Sequence, residues 1–116
     1  MKIGHTEIFV KDLEVSRSFY VDILGFEVTV EQEGQFVWLQ KEGREFLLRP
    51  GREAQPAASY QETNMAIVLY CDDLESSIRT LKDRGLEFAG QDGNEKCPTF
   101  TDPDGNWFQL VNPNDH

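Results

Sequence analysis

An internal repeat constrains the fold of this chain more than any other feature of its sequence. Residues 5–16, HTEIFVKDLEVS, recur 61 positions later as residues 66–77, AIVLYCDDLESS. After a one-residue deletion Gly25 aligns with Gly85, and Gly43 aligns with Gly105 before the last strand of each copy. A chain of 116 residues built in this way is expected to fold as two copies of one supersecondary unit.

Each copy carries the same order of local structural signals. An apolar strand leads to an acidic N-cap candidate, Asp12 or Asp73, and then to a helical stripe that ends at Gly25 or Gly85. Three short apolar segments separated by glycine-containing turns follow each helix and predict strands. The predicted strands are 3–10, 26–32, 35–41 and 45–49 in the first copy and 64–71, 86–90, 96–101 and 106–111 in the second.

These signals predict an α+β fold of two tandem βαβββ units in a single domain, residues 1–116. Unit one is expected to span 1–50 and unit two 64–116, with a linker at 51–63 that holds small and polar residues. One helix covers only one face of a four-stranded sheet. The other face of each sheet must therefore line a cleft or pack against a partner.

Strand alternation selects the side chains that point to the uncovered faces. Polar groups and large aromatic rings mix on these faces, which is typical of a ligand cleft, although the same rings could pack a dimer interface instead. The candidate cleft residues are His5, Glu7, Phe36, Trp38, Glu45, Arg49, Tyr70, Trp107 and Gln109.

The charge balance narrows the choice of partners. Acidic side chains outnumber basic ones by 21 to 11, and the formal net charge is −10. An acidic surface argues against nucleic acid and permits a cationic ligand, or it simply confers solubility. No apolar run reaches the roughly 18 residues of a membrane span and no signal peptide is recognisable, so we expect a cytoplasmic protein with no membrane partner. Cys71 and Cys97 fit neither a zinc nor a disulfide pattern and are expected to be small core residues.

Three stretches of sequence carry a family resemblance. They are HTEIFVKDL at 5–13, SFYVDILGF at 18–26 and FTDPDGNWFQL at 100–110. Together they resemble the glyoxalase/bleomycin resistance/dioxygenase group, the vicinal oxygen chelate superfamily, over essentially the whole chain. The resemblance implies that superfamily's fold. It is much less specific for activity, because the superfamily includes isomerases, dioxygenases, epoxide-opening thiol transferases and proteins that sequester drugs.

The resemblance also implies a place for one divalent metal, held by four positions in the first and last strands of the units. The corresponding residues here are His5, Leu47, Ala66 and Gln109. Two of them offer no donor atom, and the neutral amide of Gln109 is a poorer ligand than the glutamate of the enzymes. We therefore expect no cofactor, with His5 and Gln109 as weak metal candidates. A displaced site using Glu7 and Glu45 stays open, and His116 is not expected to take part.

Two functions follow from the resemblance. The first is binding of a small molecule, cationic or planar, in an aromatic-lined cleft with a degraded metal site, similar to the bleomycin-resistance branch. The alternative is a glyoxalase-like lyase or isomerase, or a dioxygenase-type enzyme, on a small carbonyl or aromatic metabolite. In that case His5 is the candidate general base, and Arg49 or Gln109 holds an oxyanion. A homodimer is expected, because two chains can bury the Trp and Phe surface that one would expose.

Overall fold

The computed structural model describes residues 1–115, and His116 lies outside the described residues. The chain divides into two compact units, Met1–Glu53 and Ala54–His116, each with one small mixed sheet. The predicted α+β fold is confirmed. Residues 54–63 of the predicted linker lie in the second of these units. None of the helices within 1–115 is long and apolar enough to cross a membrane.

The first unit contains a four-stranded sheet in the order β1-β4-β3-β2. Strand β1 runs parallel to β4, and the other pairs are antiparallel. The elements are β1 (Thr6–Val10), α1 (Leu13–Ser18), β2 (Glu27–Gln32), β3 (Phe36–Lys41) and β4 (Arg44–Pro50).

Helix α1 begins where the sequence predicts. The Asp12 carboxylate accepts a hydrogen bond from the Val15 N–H at 3.1 Å, which satisfies one of the free donors of the first turn. The helix continues into a π-helical turn, Phe19–Ile23, and Gly25 follows at φ 76°. Because a side chain is disfavoured at that φ, glycine ends the helix as expected.

The strand alternation predicted for β1 is confirmed. Ile8 and Val10 are buried, whereas Glu7 and Phe9, which alternate with them, are exposed. Tyr20 from the helical segment is fully buried and meets the Phe26 ring edge-on at 5.3 Å. The hydrophobic core of the first unit therefore lies on the helix side of its sheet.

The second unit contains β5 (Ala66–Tyr70), α2 (Leu74–Asp83), β6 (Thr99–Thr101) and β7 (Trp107–Val111). Their sheet has the order β5-β7-β6, with β5 parallel and β6 antiparallel to β7. Asp73 caps α2 by accepting from the Ser76 N–H at 3.0 Å, as the repeat predicts. Phe100 and Phe108 face each other across β6 and β7, and their buried rings stack with centroids 5.0 Å apart.

The predicted strand at 86–90 is wrong. This segment runs alongside β6, because Ala89 and Gly90 form backbone hydrogen bonds with Thr99. The only strand-like pairing between the two described segments, however, is an isolated bridge between Gln91 and Pro98. Gly90 has φ 79°, which interrupts an extended conformation, and Pro98 has no N–H to donate. The sheet of the described second unit consequently has three strands.

Candidate functional site

The uncovered face of the first sheet brings together six of the predicted cleft residues: His5, Glu7, Phe36, Trp38, Glu45 and Arg49. The register pairs Glu7 with Leu47 and Leu47 with Trp38, so these three neighbouring side chains share one face. His5 and Arg49 extend the face along β1 and β4. Glu45 lies two residues before Leu47 on the same side and is exposed, whereas Leu47 is buried.

Glu7 organises the polar part of this face. Its carboxylate accepts a hydrogen bond from His5 Nε2 at 2.8 Å and another from an Arg49 terminal nitrogen at 2.9 Å. The hydrogen bond from His5 and, next, that from Arg49 hold the pKa of Glu7 below its ordinary value. Glu7 therefore stays ionised at neutral pH and offsets the charge of Arg49.

Aromatic rings surround this polar group. The Arg49 guanidinium lies over the rings of Phe9 and Phe36, at 5.0 and 5.4 Å from their centroids, and His5 meets the Trp38 ring edge-on at 4.6 Å. The Arg49 Nε is buried and has no hydrogen-bond partner among the described residues. Strand alternation also places Phe9 on this face, although Phe9 is not among the candidate cleft residues. Its side chain is 54% exposed.

The uncovered face of the second sheet carries the remaining candidates. The register of β5 against β7 pairs Ala66 with Trp107, Val68 with Gln109 and Tyr70 with Val111. These side chains share a face because they alternate with the core residues of the same strands. Tyr70 is 75% exposed, whereas Trp107 and Gln109 are buried.

A pocket of about 500 Å³ opens to solvent on this second face. Its volume falls within the range of small-molecule sites, roughly 300 to 1,000 Å³. Tyr70 and Gln109, both predicted cleft residues, are among its lining. The lining residues are Val68, Tyr70, Asp92, Asn94, Cys97, Gln109, Val111 and Pro113.

Two residues outside the predicted set hold Gln109 in place. The side-chain nitrogen of Gln109 donates to Tyr60 Oη at 2.8 Å and to Asp92 Oδ2 at 3.1 Å. Asp92 belongs to the turn predicted after residue 90, and Tyr60 to the predicted linker. A turn residue and a linker residue give no periodic signal, so the sequence did not indicate either contact.

Residues 54–63 cover Trp107, which alternation places on the outer face. The indole N–H of Trp107 donates to the Ala57 carbonyl at 2.9 Å, and the Tyr60 ring meets it edge-on at 6.3 Å. Trp107 is consequently only 6% exposed. Its predicted contact with a ligand would require this covering segment to move, whereas Tyr70 is open to solvent.

Neither cysteine of the second unit is an activated nucleophile. Burial raises the pKa of the Cys71 thiol, and burial followed by the nearby Asp92 charge raises that of Cys97. Both thiols are therefore protonated at neutral pH. Cys97 is buried, as expected for a core residue, and Cys71 is half-buried.

The four positions that correspond to the metal ligands do not fit a divalent ion. Leu47 is a buried hydrocarbon side chain and Ala66 has only a methyl group. The Gln109 amide is engaged by Tyr60 and Asp92, and His5 is engaged by Glu7. Nowhere in residues 1–115 do three or more His, Cys, Asp or Glu side chains gather closely enough to hold a metal.

One family model matches nearly the whole chain. The model of the Glyoxalase/Bleomycin resistance protein/Dioxygenase superfamily matches residues 2–110. YurT of Bacillus subtilis (strain 168), an uncharacterized protein, is 31% identical over 129 residues, covering 96% of this chain and 98% of YurT. YetH of the same organism, also uncharacterized, is 26% identical over 116 residues, covering 94% of this chain and 96% of YetH.

Solved structures share the fold along nearly the whole chain. TnmS3, an antibiotic binding protein from Streptomyces sp. CB03234, superposes with a TM-score of 0.70 at 26% identity, covering 97% of this chain and 98% of TnmS3. The fosfomycin resistance protein FosX of Listeria monocytogenes superposes with a TM-score of 0.76 at 18% identity, covering 95% of this chain and 89% of FosX. The second likeness concerns the fold alone.

Proposed function

Because this chain belongs to the glyoxalase/bleomycin resistance protein/dioxygenase superfamily, we propose that it binds a small planar organic molecule, preferably a cation, without a divalent metal. The open pocket of the second unit carries the proposal. There an exposed aromatic ring, Tyr70, and a carboxylate, Asp92, line a cavity of ligand size. TnmS3, which is similar to this chain over nearly the full length of both proteins, is an antibiotic binding protein.

The chemistry of the pocket favours a flat, positively charged ligand. The face of an exposed tyrosine attracts both planar rings and cations. Asp92 adds a negative charge at the same pocket, and a net charge of −10 raises the local concentration of cations around the protein. An anionic ligand of the same shape would be repelled by these negative charges.

A binding experiment with two probes of equal ring size tests the proposal. We expect 9-aminoacridine, a cation at neutral pH, to bind more tightly by calorimetry than the anion anthracene-9-carboxylate. Tyr70→Ala should weaken binding of 9-aminoacridine by about 1 to 2 kcal/mol, roughly 5- to 30-fold, through the lost stacking. Tyr70→Phe, which keeps the ring, is the matched control and should bind like the parent protein.

A second variant locates the site. Trp38 is the half-buried indole on the face of the first sheet, so Trp38→Ala reports on that face alone. Binding that is lost in Trp38→Ala and retained in Tyr70→Ala would move the proposed site from the second unit to the first.

We also propose that the protein is a homodimer. Phe9 is 54% exposed, Val68 45% and Tyr70 75%, and a second copy could cover such apolar surface. Light scattering at tens of micromolar should give twice the chain mass of 13.3 kDa. A monomeric mass at that concentration would contradict the proposal.

One observation favours an enzyme as the second candidate. His5 donates through Nε2 to the Glu7 carboxylate at 2.8 Å, an arrangement that orients an imidazole for general acid–base catalysis. On this alternative the protein turns over a small carbonyl or aromatic metabolite, and His5→Gln should lower the rate by roughly 100-fold or more. Glu45→Gln, on the same face without a hydrogen bond to His5, is the control. Equal rates for His5→Gln and the parent protein would remove His5 from the reaction.

A further inference from the structure

We infer that the pocket of the second unit recognises its ligand through an N–H donor, so that it takes a primary ammonium group in preference to a quaternary ammonium or a carboxylate. The inference rests on the proposed function, because it assigns the ligand chemistry of that same pocket. It follows from the hydrogen bonds that hold Gln109.

The orientation of the Gln109 side-chain amide is fixed by its neighbours. The Asp92 carboxylate can only accept, so the amide atom 3.1 Å from its Oδ2 must be the nitrogen. The second hydrogen of that nitrogen is donated to Tyr60 Oη at 2.8 Å. With both hydrogens used, the amide oxygen is the group that Gln109 has left for a ligand.

Asp92 adds a second acceptor at the same pocket. Its backbone N–H donates to the Cys97 carbonyl at 2.7 Å, and the side chain of Gln61 donates to the carbonyl of the preceding Gln91 at 3.0 Å. These bonds hold the turn so that the carboxylate stays beside Gln109. An ammonium group placed there can donate to the Gln109 oxygen and to the Asp92 carboxylate together.

Asn94, on the same turn, supplies a donor at the exposed rim. Its side-chain oxygen accepts from the Lys96 N–H at 2.8 Å, so its NH₂ group is directed elsewhere. A ligand carbonyl could use that donor. The acceptors of Gln109 and Asp92, however, need N–H or O–H groups.

Hydrogen bonding and cation–π attraction make different demands on a cation. The Tyr70 ring attracts any cation, including one with no N–H group. A quaternary ammonium would cover the Gln109 and Asp92 oxygens without bonding them, and this loss of hydration is unfavourable. A primary ammonium replaces the lost water with charge-assisted hydrogen bonds.

Calorimetry with three probes that share one ring tests the inference. They are (1-naphthylmethyl)ammonium, (1-naphthylmethyl)trimethylammonium and 1-naphthoate. We expect the primary ammonium to bind about tenfold more tightly than the quaternary one, the effect of one charge-assisted hydrogen bond, and 1-naphthoate to bind most weakly.

Three variants connect this preference to Gln109. Gln109→Met keeps the chain length without an acceptor and should reduce the preference to less than about twofold. Tyr60→Phe removes only the hydroxyl that accepts from the Gln109 amide. The amide is then held less firmly, and the preference for the primary over the quaternary ammonium should become smaller. This variant also keeps the test valid if Gln109→Met does not fold by circular dichroism. Gln35→Met, which replaces an exposed glutamine of the first unit, is the matched control, and its preference should equal that of the parent protein.

Equal affinity for the two cations, or an unchanged preference in Gln109→Met and Tyr60→Phe, overturns the inference and leaves the proposed function standing. Tightest binding of 1-naphthoate also overturns it. Failure of every cation to bind, 9-aminoacridine included, overturns the proposed function and this inference together.

Discussion

Phe108→Ala should lower the free energy of unfolding by about 3 to 5 kcal/mol, the usual effect of removing a large ring from a core. The Phe108 side chain is fully buried, and its ring stacks on that of Phe100 at 5.0 Å with an interplanar angle of 6°. Both rings are fully buried, so removing one leaves a cavity. Urea unfolding followed by circular dichroism measures the effect.

Trp107→Ala, one residue away on the opposite face, tests the role of residues 54–63. Strand alternation alone predicts that Trp107 points away from helix α2, so that its removal leaves the fold intact. The structure instead buries the indole against Ala57 and Tyr60, and we expect a loss of about 3 kcal/mol. Trp107→Phe, which keeps a ring, should lose roughly 1 kcal/mol with the hydrogen bond. A Trp107→Ala protein as stable as its parent would show that the segment does not cover the ring in solution.

Gly105→Ala should destabilise the protein by about 2 to 5 kcal/mol. Gly105 has φ 83°, and an alanine Cβ there would lie 2.2 Å from Pro56 Cβ. The left-handed backbone costs a side chain about 1 to 2 kcal/mol, and forcing Pro56 aside adds about 1 to 3 kcal/mol. Thermal unfolding compared with the parent protein gives the total.

Gly43→Ala separates these two contributions. Gly43 has φ 77°, and nothing lies within 4 Å of its added Cβ, so only the backbone cost of about 1 to 2 kcal/mol applies. Adding Pro56→Gly to the Gly105→Ala protein removes the contact. We expect it to restore the stability by which the loss in Gly105→Ala exceeds the loss in Gly43→Ala. Equal losses at Gly43 and Gly105 would contradict the contact with Pro56.

The elements that the sequence predicted correctly depend on short-range patterns. The N-caps Asp12 and Asp73 and the buried alternation of Ile8 and Val10 are encoded within a few residues, so each can be recognised in isolation. The strand expected at 86–90 failed because it required a partner strand. Gly90 at positive φ and Pro98 opposite Gln91 prevent the regular pairing that apolar residues alone suggested.

The candidate site was predictable only in part, for a similar reason. Alternation identified the faces on which Glu7, Arg49 and Tyr70 lie, and the chemistry of the four metal positions was evident from their side chains. The partners of Gln109 were not predictable, because Tyr60 and Asp92 lie in irregular segments. Their positions are set by contacts between residues distant in sequence rather than by a period.

The covering of Trp107 by residues 54–63 has a consequence for recombination within this superfamily. The repeated stretch of the second copy begins near residue 64, whereas the folded second unit begins at Ala54. A crossover at the start of the repeat would transfer strands β5 to β7 without the residues that bury Trp107. A crossover between 53 and 54 would transfer them together, so the half of the chain that can be exchanged with Trp107 still covered is longer than the repeated half.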